Sequence, residues 1–141
     1  MNVIRDIKDT FGEREEDVII THDAVRPFVS QRLIDQNIDA VLQPVACHTA
    51  IPPVDTILSS QDGETVSSIP PRRELFQSQT PQSFPLWQLW ELYKALSPQQ
   101  KAELTDACKI FVLAGKPVRI IQGDVYNLKI TTDGDYQIAQ A

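Results

Sequence analysis

The stretch Asp17-Val18-Ile19-Ile20-Thr21-His22-Asp23-Ala24-Val25-Arg26-Pro27 decides the fold. It opens as a short β-branched apolar run, which reads as a strand over 18–22 buried on both faces. It then turns polar at once: His22, Asp23 and Arg26 follow, and Pro27 ends it. A carboxylate and a guanidinium just past the carboxyl end of a buried strand sit where open α/β sheets place their ligands. The plainer reading of the same residues is that Asp23 and Arg26 pair with each other and shape a turn.

Working outward, the chain alternates. Met1-Asn2-Val3-Ile4-Arg5-Asp6 begins an amphipathic helix over residues 2–9, and Phe11 to Glu16 is a polar connection. Ser30 suits the N-cap of a helix to about Gln43, with Ile34, Ile38, Val41 and Leu42 on one face. A second strand covers Val45 to Ile51, so strand, helix, strand predicts a right-handed crossover and a parallel pair. Further on, Leu75 to Gln82 is extended, and Pro85 opens a helix whose Leu86, Leu89, Trp90 and Tyr93 form a core stripe. Ser97 and Gln100 form a capping box, Thr105 can cap another helix with Gly115 past its end, and Val118–Gln122 is a strand. Thr132 and Asp135 suit the start of a last helix.

Residues 52–82 break this rhythm. Val54–Ser60 and Thr65–Ile69 alternate at period two around Gln61-Asp62-Gly63-Glu64, an Asp-Gly turn signal. This predicts a hairpin arm over about 54–72 that is polar and poor in large apolar residues. Such a ribbon is marginal alone. It either packs on something outside the chain's own core, such as a second subunit, or stands as an exposed flap.

The 141 residues suffice for one domain with a core, and the apolar (42%) and charged (23%) fractions are those of a globular protein. A net charge of −6 argues against a nucleic-acid partner but leaves a small anion open, because a few local cations can hold it. No apolar run approaches the length of a membrane span, and the first residues are not a signal peptide. Cys47 and Cys108 have no metal-type spacing, which fits free thiols in a reducing, cytoplasmic setting.

Neither a G-x-G-x-x-G nor a P-loop occurs, and there is no Ser-His-Asp or C-x-x-C pattern. His22 and His48, the only histidines, read as hydrogen-bonded interior residues. What recurs at element ends is Asp23, Arg26, Asp55, Thr56, Arg72, Thr80, Thr105, Asn127 and Lys129. Carboxylates together with Arg, Lys and Thr suit phosphate groups and a hard cation. Each alone reads as a cap, a turn or a surface charge, and their joint placement carries the argument.

Five motifs then come in order: His22-Asp23-Ala24-Val25-Arg26-Pro27, Asp55-Thr56-Ile57, Gln79-Thr80-Pro81-Gln82-Ser83-Phe84, Thr105-Asp106-Ala107-Cys108 and Asn127-Leu128-Lys129-Ile130-Thr131. Across nearly its whole length the chain resembles the cytidylyltransferases that join CTP to a sugar-alcohol phosphate, the ribitol-5-phosphate and 2-C-methyl-D-erythritol 4-phosphate enzymes. Thr105 to Ile110, Val125 to Lys129 and His22 to Phe28 look more like the ribitol enzymes. The erythritol enzymes usually carry a second acidic residue where Ala107 sits.

The resemblance implies an α/β, Rossmann-like mixed, mainly parallel sheet with flanking helices and a protruding β-hairpin dimerisation arm. It implies CMP transfer from CTP to a polyol phosphate, ribitol 5-phosphate being favoured over 2-C-methyl-D-erythritol 4-phosphate, with pyrophosphate leaving. Asp23 would hold Mg²⁺ and face the nucleotide with Ala24, Arg26 would set the site beside it, and Lys129 would reach the nucleotide's phosphates. Thr56, Arg72, Thr80 and Thr105 would bind the polyol phosphate, Arg72 from the arm of the other subunit of a homodimer. The family's N-terminal Gly-rich loop and opening strands are absent, so residues 1–141 read as one partial nucleotidyltransferase domain, weak or inactive alone. A non-catalytic dimerisation or binding fragment is the other expectation.

Overall fold

The computed structural model describes residues 2–12 and 14–140; Met1, Glu13 and Ala141, which fall within the predicted first helix, first connection and last helix, lie outside them. The elements follow in the order α1 (Asn2–Phe11), β1 (Val18–Thr21), α2 (Gln31–Val41), β2 (Ala46–Ile51), a 3-10 turn (Arg72–Glu74), β3 (Gln77–Pro85), α3 (Leu86–Ala95), α4 (Pro98–Ala102), α5 (Cys108–Leu113), β4 (Val118–Gln122) and α6 (Asp133–Gln140).

The four strands form one mixed sheet in the order β1-β3-β2-β4. β3 is antiparallel to both β1 and β2, and β2 is parallel to β4, so three strands share a direction and β3 alone is reversed. The predicted β1–β2 pair is therefore corrected in one respect. The two strands run the same way, but β3 lies between them. β1 is also not buried on both faces: its only described neighbour is β3, and Thr21 and Ile20 are exposed.

Successive residues of a strand face opposite sides. On one face, Phe84 and Ala46 join Ile4, Leu86, Leu89, Ile110 and Phe111 in the main core, with Ile19 and Val118 packed against it. Phe84 and Phe111 stack with ring centroids 5.3 Å apart. Leu86 and Leu89 are buried and Trp90 and Tyr93 half-buried, as the aromatic stripe predicts.

The other face carries Cys47 and Ile121, which pack with Ala40 of α2, the helix that covers it. α2 buries Leu33, Asn37, Ala40 and Val41, whereas Leu42, which the sequence placed on the inner face, is exposed. Asn37 explains the rotation. Its Nδ2 donates to Leu33 O (2.8 Å) and Thr49 Oγ1 (3.0 Å), and its Oδ1 accepts from Ser83 Oγ (2.8 Å). A buried polar group must be paired, and this one ties α2 to β2 and β3.

Helix starts follow their caps. Ser30 Oγ accepts from Leu33 N, and Ser97 and Gln100 close a capping box. Thr132 and Asp135 bond reciprocally at the start of α6. Thr105, by contrast, caps nothing: α5 begins at Cys108, and Asp106 Oδ1 accepts from Lys109 N (3.0 Å).

The predicted hairpin arm shrinks to one antiparallel bridge, Ser59 to Ser68, because its side chains meet no core. Its tip is nevertheless well organised. Hydrogen bonds from Thr65, Glu64 and Ser60 hold the Asp62 carboxyl far below its ordinary pKa, and Gly63 takes φ +78°.

Candidate active site

Polar loops converge where β1 and β4 end and β3 begins. The residues after β1 turn back at once, with Arg26 N donating to Asp23 O (3.0 Å). The Arg26 side chain is buried, and its fork reaches three elements: Nε to Asp23 Oδ2 (3.2 Å), Nη1 to Asn127 O (2.7 Å) and Nη2 to Ser78 O (3.3 Å). A planar guanidinium with five donors can hold three acceptors at fixed angles, which an ammonium cannot. Asp23 and Arg26 thus do shape a turn, as the plainer reading of the sequence held, and the same contacts build a site.

Lys129 completes it. Its Nζ lies 3.1 Å from Asp23 Oδ2 and is half-exposed. Burial raises the Asp23 pKa, but the hydrogen bonds and charges of Lys129 and Arg26 outweigh it and hold the carboxyl below its ordinary value. The loop that carries Lys129 is pinned at several points. Ile130 N donates to Val25 O (2.9 Å), and Asn127 Nδ2 donates to Thr80 O (2.7 Å). Gln79 accepts from Asp124 N (3.2 Å) and donates to Asp124 O (2.9 Å). Asn127 is fully buried, and its Oδ1 has no partner among the described residues.

His22 has both ring nitrogens engaged, and the partners fix its tautomer. Arg26 O can only accept, so Nε2–H donates to it (2.9 Å), and Nδ1 accepts from Thr80 Oγ1 (2.9 Å). Thr80 Oγ1 in turn accepts from Asp23 N (3.0 Å). The Thr80 hydroxyl is therefore used to position Asp23.

The other predicted site residues lie apart. Thr105 is exposed beside Asp106 and Ala107, where with Thr21 they line a cavity of about 530 Å³ whose inner end is apolar. Thr56 and Arg72 stand on the exposed arm, Arg72 donating to Val54 O (2.9 Å), and no hydrogen bond or ion pair among the described residues joins them to Asp23. Ala24 is exposed in the loop between Asp23 and Arg26. A larger cavity of about 610 Å³ opens at the start of β1 near Glu15, Glu16 and Trp87, but no Lys, Arg or His lines it to meet a phosphate.

Sequence reasoning missed Ser78 and Gln79 as organisers, and it named Asn127 only among the polar residues at element ends. Gln79 and Asn127 fell inside quoted motifs, but only the fold shows that their side chains brace the Lys129 loop against β3.

As for a cation, no group of three or more His, Cys, Asp or Glu among the described residues could hold a metal. Asp23 offers one carboxylate, whose Oδ2 faces the two cations while Oδ1 has no partner among the described residues. That suits Mg²⁺, which keeps waters and takes substrate phosphates as its remaining ligands.

A sheet with helices on both faces and a carboxylate between two cations beyond its strand ends defines an α/β protein with a charged site at one end of its sheet. The particular family is equally plain. The chain belongs to the 2-C-methyl-D-erythritol 4-phosphate cytidylyltransferase family, whose model matches residues 3–141.

Solved structures agree. The 4-diphosphocytidyl-2C-methyl-D-erythritol synthase of Anaerococcus prevotii is 29% identical over 97% of this chain and 60% of its own, with a TM-score of 0.79. The 2-C-methyl-D-erythritol 4-phosphate cytidylyltransferase of Thermus thermophilus is 29% identical over 87% of this chain and 60% of its own (TM-score 0.76). That of Francisella tularensis is 25% identical over 98% and 64% (TM-score 0.82). The chain thus spans about three-fifths of the length of these relatives. No helix among the described residues is long and apolar enough to cross a membrane.

Proposed function

We propose that the chain carries the acceptor side of a cytidylyl-transfer site, with 2-C-methyl-D-erythritol 4-phosphate as acceptor. The family and the solved relatives support this acceptor over the ribitol 5-phosphate that the sequence motifs favoured. The observation that carries the reading is the cluster of Asp23, Arg26 and Lys129, with N–O contacts of 3.1 and 3.2 Å at strand ends.

The reaction is displacement at phosphorus. A phosphate oxygen of the acceptor attacks the α-phosphorus of CTP, that P–O bond forms, and the bond to pyrophosphate breaks. The nucleophile is already ionised near neutral pH, so no general base is required, which fits a site whose His22 is fully used in positioning. Asp23 Oδ1 would hold Mg²⁺, which when bound neutralises phosphate charge. Lys129 would meet the phosphates from the other side, and Arg26 would hold Asp23 and the Lys129 loop in place. Thr105 would line the acceptor pocket.

Arg72 and Thr56 would serve the site of a partner subunit through the arm of a homodimer, in a cytoplasmic setting that suits the two free thiols. Val54, Leu58, Val66 and Ile69 are all exposed on that arm, an apolar set that a partner would cover. A specific observation keeps ribitol 5-phosphate as a second reading: Ala107, at the rim of the Thr105 cavity, stands where the erythritol enzymes usually carry an acid.

The test is pyrophosphate release from CTP and Mg²⁺ with each acceptor, by the chain alone and by the chain joined to a relative's N-terminal segment. Faster turnover of the methylerythritol phosphate supports the main reading, and faster turnover of ribitol 5-phosphate supports the second. No turnover of either acceptor in both forms points instead to a non-catalytic binding fragment.

A further inference from the structure

The main-core face of the sheet changes character toward the carboxyl ends of β1, β2 and β4. Ile19, Phe84, Ala46 and Val118 are core. Two residues further along, on the same face, stand Thr21, Gln82, His48 and Ile120, which are in register with one another across the four strands. This row forms a largely polar floor next to the loop of Thr105 and Asp106, and Thr21 lines the cavity with both. His48 lies two strand spacings from Thr21, about 10 Å.

His48 is half-buried and fixed by neighbours. Its Nε2 lies 2.7 Å from Ser78 Oγ and 3.5 Å from Gln82 Nε2. The Ser78 hydroxyl can donate or accept, and its donation to Nε2 would place the ring proton on Nδ1. Nδ1 makes no hydrogen bond to any described residue. Ser78 also links His48 to the charged cluster: its carbonyl accepts from Arg26 Nη2 (3.3 Å) while its hydroxyl faces His48. Burial lowers the His48 pKa and Asp106 works against it, leaving a ring that is neutral at pH 7. A neutral N–H donor beside a polar floor suits a hydroxyl oxygen, for which a phosphate-binding cation would be unselective.

We infer that His48, held by Ser78 and Gln82, is a specificity residue whose Nδ1–H binds a hydroxyl of the acceptor polyol phosphate. This rests on the acceptor reading above.

The test uses the imidazole nitrogen resonances of the chain, which has only His22 and His48 to assign. The ligands are 2-C-methyl-D-erythritol 4-phosphate, ribitol 5-phosphate and methyl phosphate, a monoester with no hydroxyl on its carbon. The expected result is a His48 ring protonated at Nδ1 that shifts saturably with a polyol phosphate and not with methyl phosphate. His48→Gln should weaken polyol-phosphate binding about 3- to 10-fold, the loss of one hydrogen bond, and leave methyl phosphate binding unchanged. Ser78→Ala, a milder change, should mix the two His48 tautomers and weaken the same ligand.

Protonation at Nε2, or saturable polyol-phosphate binding that moves His22 while His48 stays fixed, overturns the inference and leaves the acceptor reading standing. Absence of any saturable polyol-phosphate binding overturns both.

Discussion

Asp23 Oδ2 has two cationic partners at almost the same distance, Arg26 Nε at 3.2 Å and Lys129 Nζ at 3.1 Å. Distance alone would make their removal equivalent, but burial separates them. The Arg26 side chain is 9% exposed and that of Lys129 49%. An ion pair open to water is worth roughly 0.2–1 kcal/mol, because solvent screens the attraction and the long side chain loses freedom. Breaking a buried pair by removing one partner costs about 3–5 kcal/mol, since the groups left behind lose both partner and water. Arg26→Ala strands the Asn127 and Ser78 carbonyls, while Asp23 keeps Lys129.

Urea unfolding measures the difference. With a slope of about 2 kcal/mol per molar, Arg26→Ala should lower the midpoint by roughly 1.5–2.5 M, and Lys129→Ala by less than about 0.5 M. On the proposed reading of the site, function should show the reverse pattern in the chain joined to a relative's N-terminal segment, Lys129→Ala weakening CTP use far more than its effect on stability suggests. Equal midpoint shifts for the two variants, at unchanged slope, would refute the claim that burial decides their worth.

Three further outcomes are expected. Asp23 has a pKa below its ordinary 3.8 in the folded chain, so its ion pairs stabilise above that pH and the benefit is lost as pH falls through the folded value. The stability difference between the parent chain and Asp23→Asn should therefore stay level from pH 5 to pH 8 and narrow only below about pH 4, as acid-dependent unfolding curves would show. Gly123→Ala places a methyl against the Gln79 carboxamide oxygen and close to Ile51, so it should destabilise by about 1–3 kcal/mol and raise hydrogen exchange in the 124–130 loop that Gln79 holds. Asn37→Leu leaves the Ser83 and Thr49 hydroxyls without their partner in the interior. A loss of about 2–4 kcal/mol in thermal or urea unfolding is expected, despite the gain in apolar volume.

Local chemistry was readable wherever a short segment decides its own conformation. Ser97 with Gln100, Thr132 with Asp135, and Gly115 at φ +64° each close a hydrogen-bonding requirement within a few residues. β4 was found at its observed limits, since its apolar run is bounded by turn residues on both sides. The charged cluster was legible in composition, because Asp23, Arg26 and Lys129 are residue types that a phosphate site needs. Where a segment depends on a distant partner, the reading slipped. The arm's alternation predicts two strands, but with nothing to bury against it keeps one bridge. Leu42 fits a helical stripe and faces solvent, because the buried position of α2 went to Asn37, whose partners lie on β2 and β3.

The sequence by itself determined the alternation of helices and strands, the caps and the residue types of the site, because these follow from periodicity and from hydrogen bonds a few residues long. Only the tertiary structure decided that β3 runs reversed between β1 and β2, and which side chains meet. Arg26 spans 101 residues to Asn127, and Ser78 sits 52 residues from Arg26 and 30 from His48. Pairings of that range depend on strand register and on the burial that makes one cation costly to lose and leaves the other exposed, and neither quantity exists until the sheet has formed.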